Sequence, residues 1–320
     1  MADRSIRTHR FNPTEYHLTL GPHPPILEIA DGDRVITSTV DNRGRDASDR
    51  AITAPGNPLT GPFYVREAEA GDTLAVHLER ITPNRSIGRT RSTIAPHVLD
   101  PGCVEASHGG SEPGEELLEW RIDTGSWTAT LLAPAFPKGQ LVLPLDPMVG
   151  CLGTAPPKGQ AISATTAGRY GGNMDYRGFR AGTTVYLPVF ARGALFHLGD
   201  VHALQGDGEI VGTGIEVSAE VEFTLRLIKN RSIGWPRAED RDGILTAGNA
   251  RPLDQALQEA TTEMLRWLVE LGLEENLAHI LLGQCVRYQV GNVFDPAYTM
   301  VCRLSRSLLE SAGLESSTKP

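Results

Sequence analysis

The chain has 320 residues, of which 40% are hydrophobic, and its 39 Asp and Glu against 30 Lys and Arg give a formal net charge of −9. That apolar fraction allows a large buried core and excludes an intrinsically disordered protein. The acidic balance disfavours a nucleic-acid partner, because phosphate neutralisation needs a basic face.

The chain shows no signal for export or for membrane insertion. No run approaches the roughly 20 apolar residues of a spanning helix, and the N-terminal MADRSIRTHRFN lacks the apolar core of a signal peptide. The cysteines lie far apart without a CxxC pair, at Cys103, Cys151, Cys285 and Cys302. We therefore expect a reduced, cytoplasmic chain without a membrane partner, and we interpret Cys151 as a small buried hydrophobe.

Glycine and proline indicate a turn-rich β protein. The 34 Gly and 22 Pro residues exceed their usual combined share of about 12%, and they are scattered without a period. Three segments combine a Gly-containing turn with a β-branched or alternating run, which predicts strands over residues 34–40, 73–78 and 185–190.

The longest strand pattern runs from Ile215 to Leu227. Apolar and polar residues alternate there without a break. A period of two predicts a strand with one buried face and one face towards water or a site.

The last quarter of the chain changes to a helical pattern. From Pro252 to about Gly272, apolar residues recur every three or four positions, which predicts an amphipathic helix. A shorter helix is predicted over 274–282 and a strand over 285–290. The Gly- and Pro-containing segment from Asp100 to Gly114 is predicted to be a surface loop.

Together these elements predict a mainly β, β-sandwich-like fold with an α/β C-terminal portion that carries the amphipathic helix. Residues 1–250 would form the β-sandwich-like region that holds the functional site. Residues 251–320 would add a helical segment and a closing strand packed on it, within one structural unit.

The densest polar segment, residues 199–209, has the sequence GDVHALQGDGE. Asp200 and His202 share one face of a strand, and a carboxylate with an imidazole is a natural pair of metal ligands. The following Gly-rich turn returns the chain, so a hairpin would bring Glu216 towards them. The alternative is a polar hairpin with a solvated face, on which Glu220 and Glu222 also lie.

Two further carboxylates follow strand ends or turns. Asp41 ends the strand predicted over 35–40, where β-sandwich loops present functional groups; an Asx turn is the alternative there. Asp175 follows a Gly pair in GGNMD, for which a plain turn is the alternative. The rigid segment from Asn57 to Pro62 is interpreted as scaffold.

Several other site types are disfavoured. The sequence has no G-x-S-x-G, HExxH or G-x-x-x-x-G-K-[ST] motif. His197 would face away from Asp200 and His202 in an unbroken strand and is not predicted to be a ligand. Four isolated histidines are interpreted as surface or capped residues: His17, His23, His97 and His108.

Three motifs resemble those of the acetamidase/formamidase family in the same order along the chain. They are NPLTGPFYV at 57–65 with AGD at 70–72, GGNMD at 171–175, and GDVHALQGDGE at 199–209 continued to Glu216. The resemblance extends from about residue 20 to about residue 300. It implies a mainly β fold, metal-dependent hydrolysis of short amides to a carboxylate and ammonia, and an oligomer commonly built from dimers.

The same resemblance implies roles for individual residues. Those implied as metal ligands are Asp41, Asp200, His202 and Glu216. Those implied to line the polar cleft are Asp175, Asp207 and Glu209. Arg43 and Arg45 follow Asp41 where many relatives have small residues and a Gln, which suits an anionic or polar amide substrate.

We therefore hypothesise a metal-dependent hydrolase that cleaves the C–N bond of a small linear amide. A bound cation, zinc and/or calcium, would activate water, lowering its pKa to about 7 if the metal is zinc. Glu209 would take the proton of the water and return it to the leaving ammonia.

Two other functions stay open on the sequence. One is a calcium-dependent β-sandwich binding module without catalysis, and the other is a metal-stabilised structural protein. A binding module would need exposed aromatic residues, in which this chain is poor at 6%, whereas Asp175, Asp207 and Glu209 are spare carboxylates that favour an enzyme. The expected partners are a small-molecule amide and further copies of the chain, as a homodimer or higher homo-oligomer.

Overall fold

The computed structural model describes residues 6–108 and 117–314. Strands make up 40% of the structure and helices 15%, so the predicted mainly β fold class is confirmed. Within the described ranges, no helix is both long and apolar enough to cross a membrane.

The first part of the described chain contains strands of 2 to 11 residues, two short helical segments and connecting turns. The strands are β1 (Thr8–Phe11), β2 (Thr19–Leu20), β3 (Leu27–Ile29), β4 (Arg34–Ser38), β5 (Leu59–Val65), β6 (Thr73–Pro83), β7 (Ile87–Arg91), β8 (Leu117–Asp123), β9 (Thr128–Leu131) and β10 (Val142–Pro144). The helical segments are a 3-10 turn, Pro96–Val98, and helix α1 (Pro101–His108).

The second part continues with strands and then adds the longer helices. Its strands are β11 (Met148–Gly153), β12 (Ile162–Ser163), β13 (Ala167–Gly168), β14 (Gly171–Asn173), β15 (Thr184–Pro188), β16 (Phe196–His202), β17 (Ala219–Ile228), β18 (Arg237–Asp240), β19 (Gly243–Ala250), β20 (Arg287–Asn292) and β21 (Tyr298–Ser305). Its helices are a second 3-10 turn, Pro157–Gly159, with α2 (Leu253–Glu270), α3 (Glu275–Cys285) and α4 (Arg306–Ser311).

Two large sheets dominate the described residues. The nine-stranded sheet has the order β1-β4-β17-β6-β15-β18-β19-β21-β20, and the six-stranded sheet has the order β13-β14-β11-β16-β5-β3. A four-stranded sheet, β10-β9-β8-β7, and a two-stranded pairing of β12 with β2 complete the set.

The two large sheets pack face to face through aromatic side chains. Phe63 on β5 and Phe196 on β16 each place a ring 5.5 Å, centroid to centroid, from the ring of Phe223 on β17. All three side chains are fully buried. Burial of such large apolar side chains between sheets is the main stabilisation of a β-sandwich.

The helical pattern predicted near the C-terminus is confirmed. Helix α2 begins directly after Pro252 and packs on β19 and β21 through its buried face, which includes Ala256, Ala260, Met264, Trp267 and Leu268. The shorter helix and the following strand are present as α3 and β20. The large sheet continues across residue 250, because β19 pairs with β21; the division of the chain at that residue stays a prediction.

Two predicted elements differ from the structure. The strand predicted from Ile215 begins only at Ala219, because Glu216 first pairs with His202 and Arg89 before the chain enters the nine-stranded sheet. The alternation of apolar and polar residues therefore continues where the chain passes from one sheet to the other. The loop predicted from Asp100 to Gly114 begins with helix α1, whose first turn is stabilised by the Asp100 side chain accepting a hydrogen bond from the Cys103 N–H; residues 109–114 lie outside the described ranges.

Candidate active site

The end of β16 and the returning chain bring three predicted site residues together. The Nε2 atom of His202 lies 3.6 Å from Oδ1 of Asp200 and 3.1 Å from Oε1 of Glu216. Asp200 has a φ angle of 54°, a left-handed conformation that is uncommon for a residue with a side chain within a strand. All three side chains are buried.

Two glycines make room for these groups. A Cβ atom at Gly214 would overlap the ring of His202, and a Cβ atom at Gly150 on β11 would overlap Oδ1 of Asp175. The Gly-rich sequence around the site therefore reflects close approach of functional side chains to backbone.

A second group of carboxylates lies beside the first. Asp175, Glu209 and Asp295 each place a carboxylate oxygen within 4.8 Å of the others. A carboxylate oxygen of Asp175 also lies within 4.8 Å of ligand atoms of Asp200 and His202. Asp295 was not predicted from the sequence. It follows β20 in an irregular turn, so no periodic pattern marked it.

Side-chain amides hold most of these groups through one atom each. Asn57 donates to Oδ2 of Asp200 at 2.9 Å, and Asn173 donates to Oδ2 of Asp175 at 2.6 Å. Asn292 donates to Asp175, Glu209 and Asp295 at 2.7, 3.1 and 2.8 Å respectively. These amides come from distant parts of the chain, and sequence reasoning assigned none of them a role in the site.

Four buried side-chain atoms of the site make no hydrogen bond. They are Oδ1 of Asp175, Oδ1 of Asp200, Nε2 of His202 and Oε2 of Glu216, all buried. The 3.1 Å contact between His202 and Glu216 is close enough for an ion pair but lacks the alignment of a hydrogen bond. Buried polar atoms without partners are costly, and carboxylate oxygens beside an imidazole nitrogen suit a divalent cation. Ligand atoms of Asp175, Asp200 and His202 lie within 4.8 Å of one another.

The electrostatic surroundings of the carboxyl groups also favour a bound cation. Burial raises the pKa of Asp175, Glu209 and Asp295, and the charge of Asp200 raises all three further. Burial, opposed by His202 and reinforced by Asp200, raises the pKa of Glu216 to about 8. Ionisation of these carboxyls would place more negative charge in the site than its one imidazole balances, so a bound cation would stabilise their ionised forms.

Asp41, the fourth ligand that the resemblance implies, is held by other partners in this structure. Its Oδ2 pairs with the buried Arg85 at 2.8 Å, and its Oδ1 accepts the backbone N–H groups of Arg43 and Arg45. Both carboxylate oxygens are thus engaged in an Asx-type turn and an ion pair, and Asp41 is not among the converging groups. Arg45 in turn donates to the carbonyl of Asp49, so its guanidinium is part of the loop structure.

Asp207 also lies apart from the converging carboxylates. Its side chain is 53% exposed and sits 3.7 Å from the guanidinium of Arg177. The reason is local: Gly206 and Gly208 form a turn that projects Asp207 outwards, while Glu209 points inwards with a positive φ.

Three histidines that the sequence left unconnected form a separate cluster. The rings of His17 and His23 stack at 3.9 Å, and both meet the buried ring of His197 edge to face at 6.2 and 5.8 Å. His97 lies outside that cluster and hydrogen-bonds the Val293 carbonyl. His197 belongs to this cluster and is not among the converging groups of the described residues; β16 is irregular there, with a register shift between Phe196 and Leu198.

The fold and site define a β-sandwich protein with a buried carboxylate–imidazole centre. The sequence model of the acetamidase/formamidase family matches residues 110–304. The chain belongs to the acetamidase/formamidase family.

Solved structures of similar proteins share the whole fold. An acetamidase from Yersinia enterocolitica superposes with a TM-score of 0.81 at 32% identity, covering 96% of this chain and 94% of that chain. An acetamidase from Bacillus halodurans superposes with a TM-score of 0.79 at 29% identity, covering 96% of this chain and all of that chain (100%).

Curated relatives are longer than the matched region. The acetamidase of Mycolicibacterium smegmatis is 43% identical over 193 residues, which are 59% of this chain and 37% of that protein. A protein named putative formamidase from Schizosaccharomyces pombe is 28% identical over 217 residues, 54% of this chain and 52% of that protein. The match thus spans about half or less of these relatives.

Proposed function

We propose that this protein is a metal-dependent amide hydrolase that cleaves the C–N bond of a small linear amide to a carboxylate and ammonia. The observation that carries the proposal is the set of four buried, unpartnered donor atoms on Asp175, Asp200, His202 and Glu216. Family membership and the names of the relatives support the amide as substrate.

The donor sets suit two kinds of ion. Asp200, His202 and Glu216 combine an imidazole with carboxylates, which suits zinc. Asp175 and Asp295, beside them, offer oxygen only, which suits calcium. The chemistry that a divalent ion supplies when bound is Lewis acidity, which polarises a carbonyl and makes water more acidic.

The residues of the chain supply proton transfer and orientation. Glu209 is buried, its pKa is raised by burial, and its Oε2 is held by Asn292 at 3.1 Å. A buried carboxyl with a raised pKa is suited to take a proton from water and give it to the leaving nitrogen. Asp207 has no part in this proposal because it is exposed.

The proposal is tested by ammonia release from formamide, acetamide and longer linear amides. We expect activity that is lost when metal is removed and restored when zinc or calcium is returned. His202→Ala should lose bound metal and activity together, whereas His279→Ala, at an exposed position on α3, should change neither.

Activity that persists after verified metal removal would rule out the metal mechanism. Sedimentation of the same preparation tests the associated proposal of a homodimer or higher homo-oligomer. A monomer with full activity would contradict that part alone.

A further inference from the structure

The side chain of Gln205 connects the two halves of the candidate site. It lies in the turn after β16 and is buried, with 5% of its surface exposed. Its Oε1 atom is 2.7 Å from Nδ1 of His202. Its Nε2 atom donates to the backbone carbonyls of Asp175 and Gly291 at 2.5 and 3.3 Å.

The two backbone carbonyls fix the orientation of this amide. The oxygen and nitrogen of a glutamine side chain have nearly the same shape, so only the hydrogen-bond partners distinguish them. Reversal would place Oε1 against the carbonyl oxygens of Asp175 and Gly291, which are acceptors only. Oε1 must therefore face His202, and Nδ1 of His202 must carry the proton that it accepts.

This requirement selects one tautomer of the neutral imidazole. With the proton on Nδ1, the lone pair is on Nε2, which faces Asp200 and Glu216. No other described residue hydrogen-bonds Nδ1. Without the Gln205 carbonyl, a proton on Nδ1 would be buried without an acceptor. The tautomer protonated at Nε2 would then be favoured by electrostatic attraction to the Glu216 carboxylate, whose Oε1 lies 3.1 Å away.

We infer that Gln205 is a positioning residue of the metal site, holding His202 in the tautomer whose Nε2 atom binds a divalent cation. The inference rests on the proposed function and adds a residue that acts on metal through His202. Outer partners of this kind typically account for 10- to 100-fold in metal affinity.

The test measures zinc binding by metal-stripped protein in competition with a chelator of known affinity. Gln205→Met, which keeps the side-chain volume but removes the acceptor, should weaken zinc binding about 10- to 100-fold. Gln205→Glu keeps an acceptor towards Nδ1 and, when protonated, a donor towards the Asp175 carbonyl, so it should retain more zinc affinity than Gln205→Met. Asn249→Leu is the matched control, because Asn249 is another buried amide with two side-chain hydrogen bonds, to Gly168 and Thr299.

A second readout is independent of folding in the variants. Nitrogen NMR of ¹⁵N-histidine-labelled, zinc-loaded wild type should show His202 protonated at Nδ1. Protonation at Nε2, or a Gln205→Met protein with unchanged zinc affinity, would overturn the inference while leaving the proposed function intact. A wild type that binds neither zinc nor calcium would instead overturn the proposed function.

Discussion

At the scale of single residues, the site uses different atoms for support by the protein and for binding of a ligand. Asp175 and Asp200 each give one oxygen to a side-chain amide and leave the other without a partner. A carboxylate that is oriented through one oxygen loses little further freedom when the other binds a cation. The amides thus prepare the geometry that a cation needs.

Glu209 is the residue at which proton transfer and metal binding are easiest to distinguish by experiment. Glu209→Gln keeps the shape and an oxygen near Asn292 but removes proton transfer, so ammonia release should fall by at least about 100-fold. Metal content, measured by elemental analysis, should stay near that of the wild type. A fully active variant would remove Glu209 from the proposed role.

The ion pair between Asp41 and Arg85 should act on stability rather than on metal binding. Both side chains are 2% exposed, so Arg85→Met leaves a buried carboxylate without its partner and should cost about 3–5 kcal/mol in urea unfolding. Arg66→Met, in an exposed pair with Glu28, should cost at most about 1 kcal/mol. Asp41→Asn should retain its metal, and loss of a metal equivalent would restore Asp41 as a ligand.

Contacts between site residues that are close in the sequence could be predicted, whereas contacts between distant residues could not. Asp200 and His202 were found because two positions in a strand share a face, and Glu216 because a Gly-rich turn returns the chain. Asp295 and Asn292 lie more than 80 residues from Glu209 in the sequence, yet Asn292 contacts it. No local pattern records such a contact, because it depends on how β20 joins the sheet.

At the scale of elements, the segment before β17 has two tasks. Residues 215–218 pair with the end of β16 in one sheet and then lead into the other sheet. Alternation of apolar residues persists because both sheets bury the same face of the chain towards the core between them. The sequence pattern therefore predicted the buried apolar face, but not the burial of Glu216, Ser218 and Glu222 on the polar face or the change of pairing partner.

Glycine positions in the preceding turn provide a matched comparison. Gly214→Ala would put a methyl group into the ring of His202, whereas a Cβ at Gly206 meets no atom within 4 Å. We expect Gly214→Ala to displace His202, lower zinc affinity at least about 10-fold and destabilise the fold by roughly 1–3 kcal/mol. Gly206→Ala should leave zinc titration and urea unfolding close to wild type; equal effects of the two variants would contradict the packing argument.

At the scale of the whole molecule, the buried histidine cluster sets sensitivity to acid. Burial lowers the pKa of His197 to about 3, with His23 and His17 contributing, whereas an unfolded histidine has a pKa of about 6.5. Between these values the unfolded chain binds a proton that the folded chain does not. Stability therefore falls as the pH falls through this window, by up to about 1.4 kcal/mol per pH unit.

Replacing this residue should flatten the acid side of the stability profile. Between pH 6 and pH 4.5, the loss of unfolding free energy should be smaller in His197→Leu than in the wild type by about 2 kcal/mol. Urea unfolding at several pH values measures the difference, with His279→Ala as the exposed control. Parallel profiles for His197→Leu and wild type would show that His197 is not responsible.

The strand order of the large sheet limits how the protein can be divided. Strand β17 lies between β4 and β6, and Asn57, on the connection between β4 and β5, holds Asp200. A fragment restricted to the family-matched residues 110–304 would contain the carboxylates but leave both edges of β17 bare, an arrangement that promotes aggregation. We therefore expect that the family-matched segment does not fold by itself, and that any shuffling of this scaffold by recombination has to carry the N-terminal strands along with the motif.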